Sequence, residues 1–302
     1  MGTLVSVTAL VDSHDRAAAA IGAATAEMDR LITLLSRHDR ASALTHLNQT
    51  GRLDDAPPEV VHVVGSALDY YRVSGGAFEM TVAPILDLVQ ARWAGHGAAP
   101  TAAELREALA CVGSRHVRLA RRRIRFARTG MAVTLDGIAK GYIVDVFARV
   151  LERHGVRQYL VNAGGDIRTR GTGEEGKPWT VAIRDPAGRG VLPVVLHTGN
   201  AAVATSGSYE MHFGDDLTVH HIVDARTGHS PTEVVSVSVV APATLAADAL
   251  ATSVFVLGPA DGIALVNRLR GCACLAIAGD GRRWESRRWR SAPRENRGET
   301  TA

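Results

Sequence analysis

The alternation of apolar and polar residues across residues 2–10 has the two-residue period of a strand. Asp12 or Ser13 then stands where a cap opens a long Ala-rich helix. That helix reaches about Ser36 and has Ile21, Met28, Leu31, Leu34 and Leu35 on its apolar side. A second helix is expected over 58–74, behind Pro57-Pro58, and a third over 101–111, with Ser74–Phe78 ("SGGAF") as a loop. Residues 116–128 ("HVRLARRRIRFAR") alternate: Val117 and Leu119 share a face, as do Ile124 and Phe126. Arg121–Arg123 between them form the solvated tip of a hairpin, not a nucleic-acid patch.

Further along, "VTLDGIAKGYIVD" (Val133–Asp145) runs from an alternating stretch through a glycine turn into a helix over 138–154. One strand is expected over "QYLVNAGGDIRTRG", and others at 179–184, 192–197 and 201–205, through His220–Val223 and through Val234–Val240. A helix starts near Leu245 and includes "ADALATSVFVLG", a last helix covers 260–269, and a last strand 273–278. Strands joined by short turns with interspersed helices predict an α+β fold, a mainly antiparallel sheet core packed with helices.

Composition changes this picture at three places. At 302 residues and 46% hydrophobic, the chain can bury a large core, and no run of 18 apolar residues predicts a membrane span. The net charge of +3 lies in residues 281–302, where seven Arg meet three Glu, so the rest is about neutral and no nucleic-acid partner is expected. The division expected is a folded domain over 1–279 and a basic, disordered tail over 280–302, with Trp284 and Trp289 its only means of docking. Cys111, Cys272 and Cys274 form no CxxC pair and read as reduced thiols; with no export signal in Met1–Leu10, a cytoplasmic location is expected. Only Lys140 and Lys177 are lysines among 34 basic residues, which singles out Lys140 inside the glycine turn as a compact ammonium.

Five short stretches carry candidate chemistry. Gly137–Gly141 fails as a Walker loop: Lys140 follows Gly137 by three residues, and no Ser or Thr succeeds it. What remains is a helix N-terminus with a lysine one turn in, suited to an anion or merely structural. "NAGGD" (Asn162–Asp166) lets backbone approach a ligand but is no GxGxxG. "TSGSYE" (Thr205–Glu210) is either a hydroxyl-rich ligand loop or a polar turn. In "HHIVDARTGHS" (His220–Ser230), His221 and Asp224 make a candidate proton-transfer pair, against the plainer reading of a turn leaving a strand. In "ADALATS", Asp248 and Thr252 lie one helical turn apart, hard oxygen donors of the kind Mg²⁺ takes, or simply an acidic first turn.

In order along the chain, Met1-Gly2-Thr3, "LSRHDRASALTHLN" (Leu35–Asn48), "SGGAFEMTV" (Ser74–Val82), "TLDGIAKGYIVD", "VNAGGDI", "TSGSYE", "HHIVDARTG" and "ADALATSVFVLG" resemble the ApbE-type FAD:protein FMN transferases over residues 1–279. The resemblance implies an ApbE-like fold and Mg²⁺-dependent cleavage of FAD. FMN would pass to a Thr or Ser hydroxyl of an acceptor protein, in a segment such as Thr-Gly-Ala-Thr, and AMP would leave. It also implies that Asp248, Thr252 and the Gly137 carbonyl hold the metal and that His221 deprotonates the acceptor. FAD contacts are implied at Met1, His38, Ala77, Phe78, Glu79, Thr134, Lys140 and Ile222. The chain departs from its relatives at Thr134-Leu135-Asp136, where Asp-Leu-Gly is common, at Glu79 for Asp with the following proline lost, and at His38 for a larger aromatic ring. The same residues also fit hydrolysis of FAD to FMN and AMP, or FAD binding without catalysis.

Overall fold

The structure, a computed structural model, describes residues 3–186, 188, 194–213 and 218–290 and the backbone of 294–295. In chain order the elements are β1 (Val5–Leu10), α1 (His14–Leu35), α2 (Ala43–Thr50), β2 (Arg52–Leu53), α3 (Pro58–Val73), α4 (Ala83–His96), α5 (Ala102–Ala110), β3 (Val117–Ala120), β4 (Arg123–Phe126) and α6 (Ala139–Arg153). There follow β5 (Gln158–Ala163), β6 (Asp166–Arg170), β7 (Trp179–Ile183), β8 (Val194–Thr198), β9 (Ala202–Gly207), β10 (Ser236–Ala241), α7 (Thr244–Arg268), β11 (Ala273–Ile277), β12 (Arg283–Glu285), α8 (Arg287–Arg290) and β13 (Arg294–Glu295).

Seven strands form one antiparallel sheet in the order β1-β5-β6-β9-β10-β11-β12. Both faces of its centre are covered, which is why "ACLAI" of β11 is buried at every position. Cys274 and Ala276 face the helices, where Val254, Phe255 and Leu265 of α7 pack. Ala273, Leu275 and Ile277 face a small sheet, β13-β8-β7, through Val181, Ile183, Val194 and Leu196. Burial pushes the Cys274 thiol up to about 12, and all three cysteines are free, in keeping with inert reduced thiols.

Local signals explain most element starts. Ser13 accepts from the Arg16 N–H and opens α1; Thr101 and Glu104 form a capping box at α5; Pro58 sits in the first turn of α3. The hairpin β3–β4 turns at Arg121, at φ 52°, as the alternation predicts. "QYLVNAGGDIRTRG" is not the one strand expected but two, β5 and β6, folded back at Gly164 (φ 60°) and Gly165 (φ 97°), left-handed conformations that glycine allows.

Three further expectations are corrected. His220–Val223 is not a strand: it makes one isolated bridge, His212↔His220, because Ser230 Oγ takes the His220 N–H and His220 Nδ1 takes the Ile222 N–H. The fold does not stop at residue 279. β12 pairs with β11, and the Trp289 side chain is fully buried among β8 and β11, so residues 283–290 belong to the body; 291–293 and 296–302 lie outside the described residues. Finally, α7 joins the two helices expected separately. It is long and apolar enough to cross a membrane by composition, but 67% of its most apolar window is buried in the core, and the backbone turns out of helix at Gly258.

The contact that places the site is the crossing of α6 and α7. A Cβ on Gly141 would collide with the Thr244 carbonyl oxygen and lie 2.9 Å from Asp248 Cβ. Gly141→Ala is therefore expected to separate the helices and to cost about 1–3 kcal/mol or more, read as a lower urea midpoint at unchanged m value. Unchanged stability would mean that the helices do not meet at this glycine.

Candidate functional site

The site is built where "VTLDGIAKGYIVD" meets α7. Val133 donates its N–H to Asn48 Oδ1 (2.8 Å) and accepts from Asn48 Nδ2 (2.9 Å), and the Thr134 N–H donates to the Met80 carbonyl (2.8 Å). These bonds hold the approach to α6 extended without a partner strand. α7 has no capping side chain of its own at Ala243. Asp145, at the end of the same motif, supplies the cap: its two carboxylate oxygens accept from the Thr244 and Leu245 N–H groups, each at 2.9 Å. One short stretch of chain thus both starts α6 and fixes the first turn of α7.

That anchoring presents Asp248 to α6. Asp248 Oδ2 accepts from the Gly141 N–H at 3.0 Å. The helix N-terminus, read from sequence as a place for an anion, already holds one, and it is the protein's own carboxylate. Thr252, one turn on, brings Oγ1 against Gly137: a Cβ built there would lie 3.0 Å from Thr252 Oγ1 and 3.3 Å from the Phe78 ring. Ser206 Oγ lies 3.4 Å from the same hydroxyl. Asp248, Thr252 and Gly137, predicted as a set, are brought together.

A cleft of about 990 Å³ and a narrower pocket of about 260 Å³ meet here, sharing Lys140, Asp136, Glu210, His38 and His221 on their walls. Burial pushes Asp248 up to about 6, against the downward pull of Lys140 and the Gly141 N–H. Asp166, at the start of β6, is fully buried, and neither carboxylate oxygen accepts a hydrogen bond; its ion partner, Lys140 Nζ, stands 3.7 Å away. Burial first, then the neighbouring Asp248, holds its pKa well above the usual carboxylate range. Burial pulls Lys140 down, but Asp166, Asp248 and Glu210 outweigh it and keep the ammonium charged. One lysine faces Asp166, Asp248 and Glu210, and a fourth acid, Asp136, shares its cavity wall. Sequence reading passed over Asp166 and Glu210 because their stretches were read for glycines and hydroxyls; the signal was the acid that ends each one.

The four acids need a further cation if an anionic substrate is to enter. Among the described residues no cluster of three or more His, Cys, Asp or Glu forms a metal cage. The donors brought together beside Gly137 are one carboxylate and one hydroxyl, which suits Mg²⁺: it binds through one or two carboxylates and completes its shell with water and substrate phosphates. The orphaned Asp166 oxygens and the desolvated Asp248 fit a bound dication on electrostatic grounds as well.

His221 lines both cavities. Its ring Nδ1 lies 3.1 Å from the Met211 carbonyl oxygen, which also accepts the His221 backbone N–H. A carbonyl only accepts, so Nδ1 carries the proton and Nε2 is left with a free lone pair. The expected pairing with Asp224 is not made: that carboxylate is gripped by the Arg226 guanidinium. His220 beside it is structural. Nε2 donates to the Pro231 carbonyl at 3.0 Å, its ring lies edge-on to Phe255, and burial lowers its pKa.

Of the remaining predicted contacts, Ala77, Phe78 and Ile222 line the narrow pocket. Glu79 lines it too, and its carboxylate accepts from the Thr81 N–H and hydroxyl and from the Ser114 N–H and hydroxyl, so it ties two loops together. Thr134 donates its hydroxyl to Asp136 Oδ2 at 2.6 Å, so the two positions that depart from relatives are paired with each other. His38 is exposed at the junction of the cavities. Met1 lies outside the described residues.

A sequence model of the ApbE family matches residues 1–276. The chain belongs to the ApbE family. ApbE-family relatives named FAD:protein FMN transferase include that of Salmonella typhimurium, 32% identical over 93% of this chain and 83% of the relative. That of Treponema pallidum is 35% identical over 88% and 80% respectively. Among solved ApbE structures, the flavin transferase ApbE from Vibrio cholerae superposes at TM-score 0.83 with 28% identity, covering 97% of this chain and 96% of that one. The ApbE protein from Thermotoga maritima superposes at 0.85 with 27% identity, covering 97% and 99%. The α+β architecture expected from the chain is thus that of the ApbE family.

Proposed function

We propose that this enzyme transfers FMN from FAD to a Ser or Thr hydroxyl of an acceptor protein, with Mg²⁺, and releases AMP. The observation that carries this reading is the placement of His221, with Nε2 free, on the wall of the same narrow pocket as Asp248, Thr252 and Lys140. Asp248, Thr252 and the Gly137 carbonyl would hold Mg²⁺, which when bound offsets pyrophosphate charge and eases departure of AMP. Lys140 supplies a compact positive charge to the phosphates, and buried Asp166, 3.7 Å from its Nζ, helps keep that ammonium charged. The hydroxyl oxygen of the acceptor bonds to the FMN phosphorus as its proton passes to His221 Nε2. The bond from that phosphorus to the bridging oxygen breaks, and AMP leaves with that oxygen.

The test is incubation with FAD, Mg²⁺ and a protein carrying an exposed Thr-Gly-Ala-Thr segment, read by mass spectrometry and nucleotide chromatography. A mass gain of one FMN on the acceptor with equimolar AMP is the expected outcome. AMP without adduct assigns the site to FAD hydrolysis, and FAD binding without AMP reduces it to a flavin-binding protein; either outcome overturns the proposal.

A further inference from the structure

We propose that the free edge of β7 is the docking strand for the acceptor protein: an extended segment of the acceptor pairs along residues 179–184 and so carries its Ser or Thr hydroxyl to His221. This rests on the transfer reading above and adds where the second substrate binds.

The small sheet runs β13-β8-β7, so among the described residues β7 has a neighbouring strand on one side only. Four consecutive residues, Val181, Ala182, Ile183 and Arg184, line the large cleft. Successive side chains of a strand point to opposite faces, so a cavity that touches four in a row runs along the strand's edge and not over one of its faces. Val181 and Ile183 are buried between the two sheets while Thr180 and Ala182 are exposed.

Exposed edges are usually blunted by charge, proline or a bulge, because their unpaired N–H and C=O groups template pairing with another chain. Trp179–Ile183 carries no charge, no proline and no glycine. Among the described residues, no backbone group of this segment bonds to anything but β8. An unprotected edge is tolerable where a cleft shields it and useful where an extended segment must be held in register. The same cleft contains His221 and Lys140, so a strand laid on β7 is led past the base and the phosphates. Arg184, whose guanidinium stands 5.3 Å over the Tyr209 ring, closes one end of the track.

The test is amide hydrogen exchange of the protein with FAD, Mg²⁺ and the Thr-Gly-Ala-Thr acceptor whose target Thr is replaced by Val, which binds without reacting. Residues 179–184 are expected to exchange at least tenfold more slowly in that mixture. N–H direction alternates along a strand, so of Thr180→Pro and Val181→Pro one removes an outward N–H and the other a β7–β8 bond. The outward variant is expected to keep FAD affinity within twofold and to lose at least tenfold in kcat/KM for the acceptor. Unchanged exchange at 179–184, or full acceptor kcat/KM in both variants, overturns the docking while leaving transfer intact. Protection that grows with enzyme concentration and needs no acceptor assigns the edge to a second copy of this chain and also overturns it. No adduct with the unaltered enzyme and reactive acceptor sinks both readings.

Discussion

Asp248→Asn is expected to raise the melting temperature of the metal-free protein by about 3–6 °C at pH 8 while lowering FMN transfer about a thousandfold or more. The two effects share one cause. Asp248 is 5% exposed, and burial raises its pKa from 3.8 to about 6. A carboxyl whose folded pKa lies above its unfolded one favours the fold while it is neutral, and that contribution is lost as the pH rises through the folded value. Between pH 4 and pH 8 the loss is about 3 kcal/mol, because each tenfold difference in proton affinity between folded and unfolded chain is worth roughly 1.4 kcal/mol. Asparagine keeps a carbonyl oxygen for the Gly141 N–H and cannot ionise, so the stability gain should be near zero at pH 4 and full at pH 8. Mg²⁺ reverses the order. At a hundred times its Kd it adds about 2.7 kcal/mol to the native enzyme and nothing to the variant. Its affinity should weaken about tenfold per pH unit below about 6, where a proton competes for the carboxylate. A variant that is no more stable at pH 8, or that still gains stability from Mg²⁺, would remove Asp248 from the metal set.

This arrangement also shows what the sequence could not disclose. Asp248 and Thr252 share a helix face by spacing alone, and that much was legible. Their partner Gly141 is 107 residues away, and the cap that aims α7, Asp145, is 99 residues from Thr244. No periodicity reports such a meeting; only the resemblance of the motif order pointed to it. Ser13 and Pro58 announced their helices because such start signals are local. α4 was missed because Pro84 reads as a breaker in sequence, although in the first turn it removes no helical bond, and because its apolar residues form no clear stripe. α2 is only eight residues long, closed by Gly51 at φ 70°, too short for a period to register. The tail misled through its arginines: composition predicts a solvated end, while one tryptophan, Trp289, finds a fully buried place between two sheets.

At His221 the loss should fall on the chemical step alone. His221→Ala is expected to lower kcat for FMN transfer by about 10²–10⁴-fold, the usual range for a general base, with FAD affinity and Mg²⁺ stabilisation unchanged. The separation follows from geometry. Among the described residues the His221 ring hydrogen-bonds to the Met211 carbonyl and otherwise meets the His220 ring, and no metal donor depends on it. The carbonyl sets the tautomer and the ring direction; Asp224, committed to Arg226, takes no part, so Asp224→Asn should leave kcat within about threefold, since no base is oriented through it. An unassisted Ser or Thr hydroxyl is a weak nucleophile near neutral pH, and with Ala at 221 it must attack without losing its proton to the enzyme. Added imidazole should restore part of the rate, since the vacated space opens into the large cleft. His221→Gln tests position against basicity: its amide N–H can still reach the Met211 carbonyl, but it accepts no proton, so it should be as slow as alanine. Transfer within tenfold of the native rate in either variant would move the proton to another acceptor, and Glu210, on the same cleft wall with no bonded partner among the described residues, is the next group to replace.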